Sequence, residues 1–167
     1  MLYGLWNDPR YVETAGLIIG ALILLNILFF ALKGRGANMA SAWASSKSWL
    51  FVAPILFATF ALPKPFPLIF LAWTGVLSAK SFFQMVGMYH RSWFVWVTYI
   101  AIFLLAYMIH DDQLALYNLT PMIFLFAIAL VPLLRNSATH MIQYLALTLL
   151  AFIFWGWSYM HMGRLLG

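Results

Sequence analysis

Long apolar runs, broken only by short and sparsely charged joins, constrain this 167-residue chain more than any other feature. A roughly 30 Å hydrocarbon layer takes about 20 helical residues to cross, so the runs leave room for about six crossings and little else. Charged residues make up 8% of the chain and hydrophobic ones 65%, against about a quarter and about a half in a soluble domain. Nine Lys+Arg and four Asp+Glu cannot clothe a water-facing surface. In lipid every backbone polar group must be paired within the protein, which selects helices. The expected fold is all-α: one polytopic transmembrane helical bundle of about six spans over residues 1–167.

Breaks in the pattern place the spans. The first covers about residues 15–32 and stops at Lys33-Gly34-Arg35-Gly36; its stronger positive flank follows the apolar run, which suits an uncleaved helix with an outside N-terminus. The second covers about 49–62, with Pro54 inside it, after a small-residue stretch, Ala40 to Ser46, that either extends the helix or lies along the interface. Pro63, Pro65 and Pro67 force a tight turn into the third, about 67–87. The fourth is about 93–109, ending in His110-Asp111-Asp112. Thr120-Pro121 reads as an N-cap and first helical residue for the fifth, about 120–134, and the sixth is about 141–160.

Cations fall unevenly on the two sides. Lys33, Arg35, Lys47, Lys80, Arg91 and Arg135 lie in the loops one-two, three-four and five-six, whereas only Arg10, Lys64 and Arg164 lie opposite. The positive-inside rule then puts the first set in the cytoplasm and both termini outside. No basic tract suits a nucleic acid.

Polar residues are few enough to weigh singly. Lys80, Gln84, Gly87 and Arg91 recur at i, i+4, i+7 and i+11, one face of a helix continued to Arg91. Two cations and an amide beside a glycine gap suit a phosphate or lipid headgroup, and the plainer reading is snorkelling and membrane anchoring. Lys80, Gln84 and Arg91 are therefore the lipid-phosphate-binding candidates. Asn26 and Gln143, at membrane depth, read as interhelical hydrogen-bonding groups. Gly16 and Gly20 form a GxxxG that favours close approach of another span of the same chain, with a homodimer left open. Asp111 and Asp112 read as a solvated turn. The acids Asp8, Glu13, Asp111 and Asp112, with no cysteine, supply neither a metal site nor a catalytic acid-base pair, so no catalytic and no metal residue is assigned.

The order of segments resembles the N-terminal membrane half of the bacterial CDP-diacylglycerol synthase (phosphatidate cytidylyltransferase) family. Lys47-Ser48-Trp49 opening the second span, Leu77-Ser78-Ala79-Lys80-Ser81-Phe82-Phe83, Arg91-Ser92-Trp93 before the fourth, and Phe154-Trp155-Gly156-Trp157-Ser158 in the sixth carry the likeness. Ser81 stands where the family usually has Glu. The resemblance implies a nucleotidyltransferase of phospholipid biosynthesis in the bacterial inner membrane, converting phosphatidate and CTP to CDP-diacylglycerol and pyrophosphate with Mg²⁺. The family's signature for metal ions and CTP lies in a C-terminal half outside these residues. This chain is then expected to be a lipid-facing scaffold, inactive alone, with phosphatidate as its partner and CTP engaged only through the other half. The alternative is a non-catalytic membrane binding or transporter subunit, which expects a midplane cavity around Asn26, Thr74, Gln84 and Gln143.

Overall fold

The computed structural model describes residues 5–32, 37–135 and 140–165. Lys33, Arg35 and their glycines lie outside the described residues, as does the Arg135 side chain. After a 3₁₀ turn at Leu5–Asn7 come α1 (Pro9–Leu32), α2 (Ala37–Phe60), α3 (Phe66–Met85), α4 (Ser92–His110), α5 (Leu114–Arg135) and α6 (Met141–Ala151). A π-helical segment, Phe152–Trp157, joins α6 to α7 (Ser158–Leu165). No strand occurs among the described residues, so the chain is an all-α helical bundle.

Among the described residues, five helical stretches are long and apolar enough to cross a membrane: α1, α3, α4, α5 and the continuous run Met141–Leu165. Such a set makes this an integral membrane protein. The 24-residue α2 has the length to cross, but its first half carries Ser41, Ser45, Ser46, Lys47 and Ser48. The small-residue stretch thus extends the helix backwards, and Lys47-Ser48-Trp49 falls in the middle of α2 instead of opening it.

The chain divides into two compact units, residues 1–67 and 68–167. In the first, α1 and α2 form an antiparallel hairpin held at three levels. Near the connection, the Phe30 and Trp43 rings lie 6.0 Å apart. One turn along, Asn26 Nδ2 donates to Ser46 Oγ at 2.8 Å and to its carbonyl at 3.1 Å, the interhelical role expected of an amide at this depth. At the far end Tyr11 OH donates to the Phe57 carbonyl at 2.7 Å, with the two rings edge to face. No residue of α1 is buried.

The second unit has a core, and α4 is its centre. That helix packs against α5, α6, the π segment and α7, and buries Phe94, Val95, Thr98, Ala101, Ile102, Leu105, Ala106 and Ile109. Phe124 of α5 stacks on Phe152 at 4.0 Å between centroids. Helix α3 contributes the face of Leu68, Leu71, Ala72, Ala79 and Phe83. Buried Thr98, Thr120 and Thr148 cost little because each hydroxyl donates to a carbonyl one turn back in its own helix.

Two glycines decide how closely the helices meet. A Cβ at Gly75 would lie 2.5 Å from the Trp155 carbonyl oxygen, and one at Gly163 would lie 2.7 Å from Leu68 Cδ2. These, and not Gly16 and Gly20, are the close approaches: nothing lies within 4 Å of a Cβ built on either α1 glycine. The GxxxG on α1 therefore does not mark the seam between α1 and α2.

Helix α5 also departs from its expected start. It begins at Leu114, and Thr120, instead of capping it, donates to the Leu116 carbonyl at 2.8 Å. Pro121 costs a backbone bond, but Tyr117, Thr120, Phe124 and Ile128 form one buried row across it. Packing along that row outweighs the proline.

Candidate functional site

Lys80 and Gln84 occupy successive turns at the end of α3, half-buried and exposed respectively. Their shared face does not continue to Arg91. Helix α3 stops at Met85, where the Met88 N–H donates to the Phe83 carbonyl at 2.9 Å and the Gly87 N–H to that of Gln84 at 3.2 Å. Gly87 has φ +71°, and this pair of bonds with a left-handed glycine is the Schellman stop. Buried Phe83 and Met88 anchor its two sides. The glycine expected to leave a gap in a helical face in fact ends the helix, and Arg91 belongs to the next element.

Arg91 is the N-cap of α4. Its backbone N–H donates to the Met88 carbonyl at 2.8 Å, and its own carbonyl accepts from Phe94 at 3.1 Å. Its half-buried side chain turns to α6: the guanidinium carbon sits 4.9 Å from the Tyr144 ring centroid, and Nη2 donates to Tyr144 OH at 3.4 Å. Phe94 and His140 flank the same ring at 6.1 and 6.4 Å. Arg91 Nε is buried with no hydrogen-bond partner. The helix start above it has no side-chain cap.

These facts make the site electrostatically incomplete. A guanidinium at a helix N-terminus faces the positive end of the dipole, where an anion is stabilised and a cation is not. The second unit's carboxylates are Asp111 and Asp112. Both sit past the far end of the 19-residue α4, about 28 Å from its start. No Asp or Glu of its unit is therefore within reach of Arg91.

A groove of about 360 Å³ lies one helical face round from Lys80 and Gln84. Leu77, Ser78, Ser81, Phe82, Met85 and Trp155 line it, apolar but for two hydroxyls. Ser81 donates to the Leu77 carbonyl at 3.1 Å.

Other polar residues singled out in the sequence are engaged locally or exposed. Asn26 is spent on Ser46, Thr74 Oγ1 donates to Phe70 and Leu71 carbonyls of its own helix, and Gln84 and Gln143 are exposed. Asp111 and Asp112 are exposed at the end of α4. There Asp112 takes φ +53°, and the Gln113 N–H closes the helix onto the Met108 carbonyl at 2.8 Å. No three His, Cys, Asp or Glu among the described residues are grouped to hold a metal ion. With that donor set, the residues present do not fit the Mg²⁺ implied by the resemblance.

Tyr144 was not legible as a site residue. Only the turn at Gly87, which frees Arg91 from α3, brings the two together. The chain matches no family model, no curated protein and no solved structure.

Proposed function

We propose that this chain is a lipid-binding membrane scaffold whose Arg91, helped by Lys80 and Gln84 at the end of α3, takes the phosphate of an anionic phospholipid. One observation carries the reading: a half-buried guanidinium with a buried, unpartnered Nε–H and no Asp or Glu within its unit's reach. A phosphate oxygen supplies both the missing acceptor and the missing charge. The Tyr144 ring holds the guanidinium from one side, leaving its remaining N–H groups for the ligand. The apolar groove along α3 suits an acyl chain of the same lipid.

The family resemblance supplies the finer part of the proposal. In it the lipid is phosphatidate, the end bearing Arg91 is cytoplasmic, and a separate catalytic half brings Mg²⁺ and CTP. That half would transfer CMP to the held phosphate and release pyrophosphate. This chain's share of the reaction is binding and orientation, since it has no carboxylates placed for metal chemistry. The transporter alternative lacks support, because its four polar residues are satisfied locally or exposed.

Purified chain in phosphatidylcholine nanodiscs doped with phosphatidate tests the binding claim. Wild type is expected to retain phosphatidate selectively, Arg91→Ala to lose the preference, and Arg91→Lys to recover part of it. Equal retention by wild type and Arg91→Ala would sink the proposal. The enzymatic part is tested separately: CTP-dependent CDP-diacylglycerol formation by the purified chain alone would show that catalysis is not borrowed.

A further inference from the structure

A second polar cluster lies at the other end of the same unit, where α4 finishes, α5 begins and α7 ends. Tyr117 of α5 is fully buried, and its hydroxyl is 3.0 Å from the Trp157 carbonyl and 3.2 Å from His161 Nδ1. The rings are layered: Tyr117 stacks on Trp157 at 6.1 Å with 19° between planes, and His161 lies 5.4 Å from Trp157.

Hydrogen-bond roles follow from what each group is able to do. A carbonyl only accepts, so the Tyr117 hydrogen is committed to Trp157. With that hydrogen on the carbonyl, His161 Nδ1 donates into the phenol oxygen, and in a neutral imidazole this arrangement puts the bare lone pair on Nε2. His161 is exposed, and Nε2 is the ring nitrogen not engaged by Tyr117. Arg164, also exposed, is three residues further along α7 and hence on the same helical surface. The indole Nε1–H of Trp157 is buried with no partner, so the stack lacks an acceptor from outside the protein as well.

Depth identifies what meets these groups. The run Met141–Leu165 has 25 residues, of which about 20 cross the hydrocarbon. His161 and Arg164 therefore emerge at headgroup level, with Trp157 in the aromatic belt just beneath.

We infer that His161 Nε2 and Arg164 form a headgroup site for a phospholipid that carries a hydrogen-bond donor beyond its phosphate, an ethanolamine ammonium or a glycerol hydroxyl. Arg164 takes the phosphate and Nε2 accepts from the donor. A choline headgroup has no N–H or O–H to offer and is discriminated against. Tyr117 is the positioning residue, because it decides which imidazole nitrogen faces the lipid. This site is independent of Arg91 and of the enzymatic reading.

The test is ¹⁵N NMR of histidine-labelled full-length chain in nanodiscs, at a pH above the ordinary histidine range, with His161→Gln assigning the signal. In phosphatidylcholine the expected spectrum has Nδ1 protonated and Nε2 bare. Replacing part of the lipid with phosphatidylethanolamine shifts Nε2, Arg164→Gln raises the amount required about tenfold, and Tyr117→Phe admits the Nε2–H tautomer. A wild-type Nε2–H tautomer would overturn the inference, as would a response identical in the two lipids. So would a shift produced by soluble glycerophosphoethanolamine but not by the lipid.

Discussion

At the end of the α3–α7 unit where α4 begins, one guanidinium leans on a tyrosine ring and keeps a buried N–H without an acceptor. Where α4 finishes, a phenol, a carbonyl and an imidazole satisfy one another, and the unmet capacity passes to the outer nitrogen of His161. The first end is all donor and positively charged, and on the proposed reading it selects for charge. The second offers an acceptor beside a donor, and on the inferred reading it selects for headgroup chemistry. Both rest on the same core, and the difference arises from two local devices: the glycine stop that ends α3, and the π segment that ends at Trp157.

Substitutions that strike one device should separate the two ends. Gly75→Ala has the largest expected effect, because its Cβ meets a backbone oxygen of the π segment at 2.5 Å, where no flexible side chain can yield. A loss of about 2–3 kcal/mol in unfolding free energy is expected, with the His161 signal dispersed and Arg91-dependent lipid retention kept. Unchanged thermal unfolding in detergent would mean that α3 does not approach Trp155 this closely.

Tyr117→Phe follows, removing the donor of a buried carbonyl at a cost of about 1–2 kcal/mol. Amide exchange should quicken around Trp157 and His161, not around Tyr144. Gly87→Ala strikes the opposite end: a Cβ meets nothing within 4 Å, but φ +71° is unfavourable for alanine. The penalty is about 1 kcal/mol, read as weaker phosphatidate retention with an unperturbed His161. Gly16→Ala and Gly20→Ala, facing open space on α1, should leave unfolding within about 0.5 kcal/mol of wild type. A larger change would reveal a partner for that face.

Much of the architecture was readable because it depends on periodic, local quantities. Apolar run length locates the helices, and Asn26 reads as the interhelical donor that it is. The failures share a cause. Gly87 was read as a gap in a face, although a glycine also permits the left-handed residue that ends a helix, and composition does not distinguish the two. Thr120-Pro121 satisfied a capping rule that the buried row from Tyr117 to Ile128 overrode. Gly75 and Gly163 carry no spacing signal, since their importance comes from partners distant in sequence, Trp155 and Leu68. Nothing in Phe152–Trp157 announces a π turn, so the Tyr117–His161 contact became visible only in three dimensions.

The central claim, that Arg91 awaits a lipid phosphate, is tested most directly by competition in the bilayer. Wild-type and Arg91→Ala chains are reconstituted in nanodiscs of equal phosphatidylcholine and phosphatidate content, and the lipids that survive extraction with each protein are quantified. A phosphatidate enrichment that falls about tenfold in the variant, as expected for losing a charge-assisted pair, is the result this account requires. Equal enrichment, or none in the wild type, would contradict it.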